Sequence, residues 1–267
     1  VRIDAKTVGL ASAAALVLCQ AACDRPGTLP ARQAQAGGEP SDPGYHAAPL
    51  VNGVAKAADG AVSLSGRALP SSTVRLAAQA RTPIEARADG SGAWTAALGL
   101  VSEPALYALT EEAGGQTVEA EGVVAVLPGV PTVALLRAGF GAQVMQDASA
   151  APLRIQAVDY DAAGAAVVSG RAHAASPVRV IVDDQPPIEG VAGPDGRFSL
   201  TLPKPLPPGR HRLQVMTPQA TSGSEVAITP PASPRGATYH ALAEPFGWRV
   251  DWITPGGGVQ TTLFPAG

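Results

Sequence analysis

The chain has 267 residues, 46% of them hydrophobic and 15% charged, with a formal net charge of −3. That length can fill two small cores, and the slight acid excess argues against a chain built around a basic nucleic-acid face. Thirty glycines and 26 prolines beside only 4% aromatics suit short strands joined by many turns, with cores of Val, Leu, Ile and Ala.

Residues 1–22 read as a targeting segment. Arg2 and Lys6 supply a positive start, weakened by Asp4, and Val8 to Cys19 is an unbroken run of apolar and small residues. The run is short of the about 20 residues that span a bilayer and suits the hydrophobic region of a secretory signal. It ends in Gln20-Ala21-Ala22-Cys23, which resembles a bacterial lipoprotein lipobox. The resemblance implies cleavage before Cys23 and diacylglyceryl attachment to its sulfur. Gln20 departs from the pattern, which has an aliphatic residue there. The two cysteines are Cys19 and Cys23, so the body beyond the proposed anchor has no disulfide framework. More than one acyl chain on Cys23 would hold the body stably at a membrane. Residues 23–46 are rich in Gly, Pro, Ala, Gln and Ser without apolar periodicity, as expected of a lipid anchor followed by a flexible tether. The expected location is the bacterial cell envelope, with the body in the periplasm or at the cell surface.

Beyond residue 46 the chain repeats itself. Ser65-Gly66-Arg67-Ala68 returns as Ser169-Gly170-Arg171-Ala172, Val74-Arg75-Leu76 as Val178-Arg179-Val180, and Pro83-Ile84-Glu85 as Pro187-Ile188-Glu189. Gly92-Ala93-Trp94 returns as Gly196-Arg197-Phe198, Leu109 as Leu213, and every pair is 104 positions apart. One register held over such a stretch marks a duplicated module. The expected division is 47–148 for the first module and 149–267 for the second, which adds a C-terminal hairpin. Ala47-Ala48-Pro49-Leu50 resembles Ala150-Ala151-Pro152-Leu153 one residue out of register, which predicts a single insertion near Asp161.

Inside each copy the pattern is that of strands. Ala61–Ser65, Thr73–Ala77, Trp94–Leu98 and Thr117–Val126 alternate or run β-branched, and Ala105–Thr110 begins a further strand. The second copy is clearer: Val178–Val182, Phe198–Leu202 and His211–Val215 are strands, with turns at Gly193–Gly196 and Pro207–Gly209. Val130–Arg137 reads as another strand, and Phe140–Val144 parallels Phe246–Val250. Trp248–Ile253, Pro255–Gly258 and Val259–Phe264 together predict a hairpin. No stretch has a helical period. The fold class is therefore all-β, as two tandem β-sandwich modules. The order Gly-x-Ala, Val-Arg-Val, Asp-Gly-x-Phe and Pro-Gly-x-x-x-Leu resembles the bacterial immunoglobulin-like modules, and also the carboxypeptidase-regulatory-like sandwich. That resemblance implies a fold, not a task.

Candidate chemistry is sparse. Trp248, Arg249, Asp251 and Trp252 form the most distinctive set: on a strand Trp248, Val250 and Trp252 share one face, Arg249 and Asp251 the other. Two readings stand open, a core face of the terminal hairpin or an exposed stacking platform for a sugar or partner. Asp159-Tyr160-Asp161 and Asp183-Asp184 are read as solvated turns rather than a calcium site, lacking the spacing of one. His46, His173, His211 and His240 lie far from zinc spacing, and neither a Gly-x-Ser-x-Gly elbow nor a P-loop occurs. The expectation is a non-enzymatic envelope protein without metal or cofactor. Its partner would be another envelope protein, peptidoglycan or a polysaccharide. The alternative is a carbohydrate- or peptidoglycan-binding accessory protein that uses the terminal tryptophans.

Overall fold

The computed structural model describes residues 47–128, 132–146 and 151–266. The signal segment, Cys23 and the tether lie outside the described residues. Among those described, every regular element is a strand. The first copy supplies β1 (Leu50–Lys56), β2 (Val62–Arg67), β3 (Thr73–Ala78), β4 (Ile84–Arg87), β5 (Ala93–Gly99), β6 (Ala105–Ala113) and β7 (Gln116–Leu127), extended by β8 (Thr132–Leu136) and β9 (Gln143–Gln146). The second supplies β10 (Arg154–Asp161), β11 (Ala166–Arg171), β12 (Pro177–Val182), β13 (Ile188–Val191), β14 (Arg197–Thr201), β15 (Gly209–Met216) and β16 (Thr221–Ile228). It is extended by β17 (Tyr239–Glu244), β18 (Gly247–Ile253) and β19 (Val259–Pro265).

The duplication is visible strand by strand. Sheet β1-β2-β5 corresponds to β10-β11-β14, and β4-β3-β6-β7 corresponds to β13-β12-β15-β16. Even the bulge repeats: the β1–β2 register slips between Val51 and Gly53, the β10–β11 register between Ile155 and Ala157. The expected insertion near Asp161 is therefore absent. Leu50 pairs with Arg67 as Arg154 pairs with Arg171, and the turns after β1 and β10 close alike, Ala57 N–H on Ala61 and Asp161 N–H on Ala165. Leu50 thus corresponds to Arg154, and its likeness to Leu153 is out of register.

The repeated Ser-Gly-Arg has a steric reason. Gly66 lies opposite Trp94 and Gly170 opposite Phe198 in the paired strands. A Cβ would meet the main-chain carbonyl of the next strand first, Leu50 at 1.9 Å from Gly66 and Arg154 at 2.2 Å from Gly170, and the facing ring at 2.6 Å, so only glycine fits between strand and aromatic. The arginine that follows closes the neighbouring turn: Arg67 donates to the Ser91 carbonyl at 2.9 Å, Arg171 to the Asp195 carbonyl at 3.1 Å.

The four sheets stack as layers with three apolar cores between them. The first core joins β1-β2-β5 to one face of the long sheet β4-β3-β6-β7-β8-β9 through Leu64, Leu76, Trp94, Val124 and neighbours. The third layer, β14-β11-β10-β19-β18-β17, packs on the fourth through Val158, Val168, Phe198, Leu213 and neighbours. Between them lies a core that belongs to neither copy alone: Leu106, Ala125, Leu127 and Leu136 from one side, Ala157, Val250, Trp252 and Phe264 from the other. The extensions build this seam. The C-terminal hairpin joins the second copy's sheet beside β10 and packs against the first copy. The chain from His46 onward is accordingly one compact unit.

The two inner sheets are covered on both faces, so strands such as β10, β18 and β19 are buried at nearly every position. The outer sheets have one free face, and it is polar: Arg67 and Thr95 at one end of the stack, Arg179, Glu189, Arg212 and Glu225 at the other. Antiparallel sheets tolerate this half-wet arrangement.

Candidate functional site

The four residues singled out in the terminal hairpin lie mostly inside the stack. Trp252 is 1% exposed, Asp251 1% and Arg249 4%, while Trp248 is half-buried. The faces divide as the strand period dictates. Trp248, Val250 and Trp252 join the seam core. Arg249 and Asp251 point the other way and form a fork, Nε to Oδ2 at 3.0 Å and Nη2 to Oδ1 at 2.9 Å. Arg249 also donates to the Pro230 carbonyl at 3.0 Å and to Thr229 Oγ1, and Thr261 Oγ1 donates to Asp251. Burial lowers the guanidinium's pKa, but the hydrogen bonds to Asp251 together with the charges of Tyr160, Asp251 and Glu244 offset this and the net shift is upward. The pair fixes the segment leaving β16 against β18.

Three of the four acids are exposed as expected, and one is not. Asp161 is an exposed turn residue whose Oδ1 accepts the Ala163 and Ala165 amides, and Asp183 and Asp184 are also exposed in a turn. Asp159, read as a solvated turn residue, is instead 2% exposed inside β10. The alternation Asp-Tyr-Asp concealed a strand covered on both sides, with Tyr160 in the core of the second sandwich and Asp159 facing the seam.

There Asp159 belongs to a clamp on the first copy's β8–β9 turn. Four side chains of the second copy take four main-chain groups of that turn. Gln260 Oε1 accepts from Gly139 N–H at 3.3 Å, and Ser199 Oγ donates to the Phe140 carbonyl at 2.9 Å. Asp159 Oδ2 accepts from Ala142 N–H at 2.7 Å, and Ser169 Oγ donates to the Ala142 carbonyl at 2.8 Å. The turn can come this close because Gly141 has φ of 82° and no side chain; a Cβ would meet Ser199 and Val167 at 2.9 Å. The other carboxylate oxygen, Oδ1, accepts from Thr262 Oγ1 at 2.6 Å and Gln260 Nε2 at 3.2 Å. Thr262 Oγ1 in turn accepts from the Trp252 indole N–H at 3.2 Å. Burial raises the Asp159 pKa to about 6, against the lowering effect of these hydrogen bonds.

The opposite end of the seam is pinned more simply. Gln79 of the β3–β4 turn bonds the main chain of Gly236 and Thr238, and Tyr239 Oη donates to the Pro104 carbonyl at 2.9 Å. A cleft of about 560 Å³ opens beside these contacts, lined by Arg81, Glu103, Tyr239 and His240 among others. A smaller pocket of about 210 Å³ reaches Asp159 and Gln260 from the end of β10. Among the described residues no three His, Cys, Asp or Glu side chains gather as a metal site, and no helix is long and apolar enough to cross a membrane. The sequence carried two hints of the clamp, the Phe-Gly turn at 140–141 and the polar run Gln260-Thr261-Thr262 in a strand otherwise apolar.

No protein-family model and no curated protein matches the chain. Among solved structures, a biofilm associated protein, BSP domain, is similar over 70% of this chain at 13% identity, with a TM-score of 0.23. The chain spans 30% of that structure's length, and a likeness at this level decides neither fold nor task.

Proposed function

We propose that the chain is a lipid-anchored cell-envelope protein whose stacked β body serves a structural or adhesive role and no catalytic one. Cys23 would carry the lipid, residues 24–46 would stand the body off the membrane, and the end faces of the stack would meet an envelope protein, peptidoglycan or a polysaccharide. The observation that carries this reading is the seam. An apolar core and a main-chain clamp join the two copies, and a body whose buried polar groups hold its layers together suits a spacer or presenter. The glycan-binding alternative has only Trp248 of the two terminal tryptophans to draw on, because Trp252 is enclosed and its N–H is bonded to Thr262.

The test is metabolic labelling with a clickable palmitate in a bacterial host, followed by crosslinking in intact cells. Label on the full chain, its loss in Cys23→Ala, and a crosslinked envelope partner kept in Trp248→Ala would support the reading. Label independent of Cys23 would sink the anchor. Loss of a glycan only in Trp248→Ala would favour the accessory role.

A further inference from the structure

The clamp puts an ionisable group where a charge is poorly supported. Asp159 is enclosed between the first copy's β8–β9 turn and the strands β10 and β19, and all its hydrogen-bond donors are neutral: Ala142 N–H, Thr262 and Gln260. No cation faces it. Arg137, at the head of the turn, lies over the Phe140 ring, and Arg249 on β18 points to the opposite face, held by Asp251. Asp161, two residues along β10, is exposed and bonded into its own turn. From β11 and β14 the clamp receives only Ser169 and Ser199. The pocket that reaches Asp159 and Gln260 from the end of β10 gives protons a route.

We propose that Asp159 is a proton-operated latch between the two copies, tightening their seam when it is protonated and loosening it when it is charged. A neutral carboxyl still offers Ala142 an oxygen. It donates its new hydrogen to Thr262, whose hydroxyl rotates to accept it. Ionisation leaves a buried anion stabilised by dipoles alone. The shift of its pKa from 3.8 to about 6 agrees in sign. A group whose folded pKa is raised adds stability that is complete below about pH 4 and lost as the pH rises through about 6. The latch is independent of the anchor, since the clamp begins at Gly139.

The Trp252–Thr262–Asp159 relay supplies a reporter. The full chain, with its three tryptophans labelled with ¹⁵N at the indole, is titrated by NMR between about pH 4.5 and 7.5, a range that brackets the expected transition. The Trp252 indole resonance is expected to move with a midpoint near 6, while that of Trp94, in the first sandwich, stays still. In parallel, the melting temperature of the unmodified chain is expected to fall as the pH rises through 6, and Asp159→Asn to lose that slope. Taking the difference between the two chains cancels the titration of Asp89, Asp183 and the other carboxylates. A stationary Trp252 resonance in the folded, unmodified chain overturns the latch, whether or not the variant folds. So does an unchanged slope in a folded Asp159→Asn chain.

Discussion

The two copies share one blueprint and differ where their neighbours differ. The second copy's sheet β10-β11-β14 is covered by the first copy's turn and β9, whereas the matching sheet β1-β2-β5 ends the stack. Along those matched strands Gly53, Ala55 and Ser63 stand where the covered sheet has Ala157, Asp159 and Val167. The sandwich interiors differ too. Leu109 faces Leu76 across its strand pair as Val215 faces Val180, although the 104-residue offset would match Val215 to Glu111; Glu111, fully buried opposite Val74, sets one oxygen on the Leu69 amide at 3.0 Å and leaves the other unpartnered. Ser72 Oγ and Trp94 Nε1 are also buried without a partner. Duplication fixed the strand order, and surroundings then set the side chains.

The asymmetry is greatest in the added hairpin, and so is the expected effect there. Arg249→Ala leaves Asp251 buried without its cation, and a loss of about 3–5 kcal/mol is expected in denaturant unfolding. A loss under about 1 kcal/mol would mean that the pair is solvated and the hairpin peripheral. The next effect probes sameness rather than difference. Gly66→Ala and Gly170→Ala each force a methyl against a main-chain carbonyl and an aromatic ring and should each cost about 1–3 kcal/mol or more. Unequal costs would show that the two bulged strand pairs do not yield equally to the added methyl. The smallest effect is at Glu111: Glu111→Val should change stability by about 1 kcal/mol or less, since the loss of a half-satisfied buried carboxyl is offset by the Leu69 amide left without that partner. A marked loss of stability would show that the bond from the Leu69 amide to Glu111 is structural.

Much of the sandwich was legible because its rules are local. The turn at Asp89–Gly92 has its signature in the chain itself, with Asp89 Oδ1 accepting the Ser91 and Ala93 amides and Gly92 at φ of 81°. These bonds, led by that from the Ser91 hydroxyl, also hold the Asp89 pKa below its usual value. The short edge strands β4 and β13 have only four residues each and little pattern, so they were not separable from loops. The seam was illegible for a different reason. Trp248–Ile253 alternates as a strand with one wet face does, yet Arg249 and Asp251 are covered, and their pairing stands in for water. Alternation reports which residues share a face. It does not report whether a polar face meets solvent or another polar group. Asp159 was misread on the same ground.

The placing of β19 has a kinetic consequence. It lies in the middle of its sheet, between β10 and β18, and Thr262 meets Asp159 across 103 residues of sequence. Closing so long a loop carries its entropic cost before any seam contact rewards it. The first sandwich, by contrast, holds its β1–β7 contacts within its own stretch of chain. Refolding should therefore be biphasic: a fast phase seen by Trp94, then a slower one in which Trp252 becomes enclosed. Until the second phase ends, β10 presents an unpaired edge to any chain nearby, and aggregation of this protein would start there.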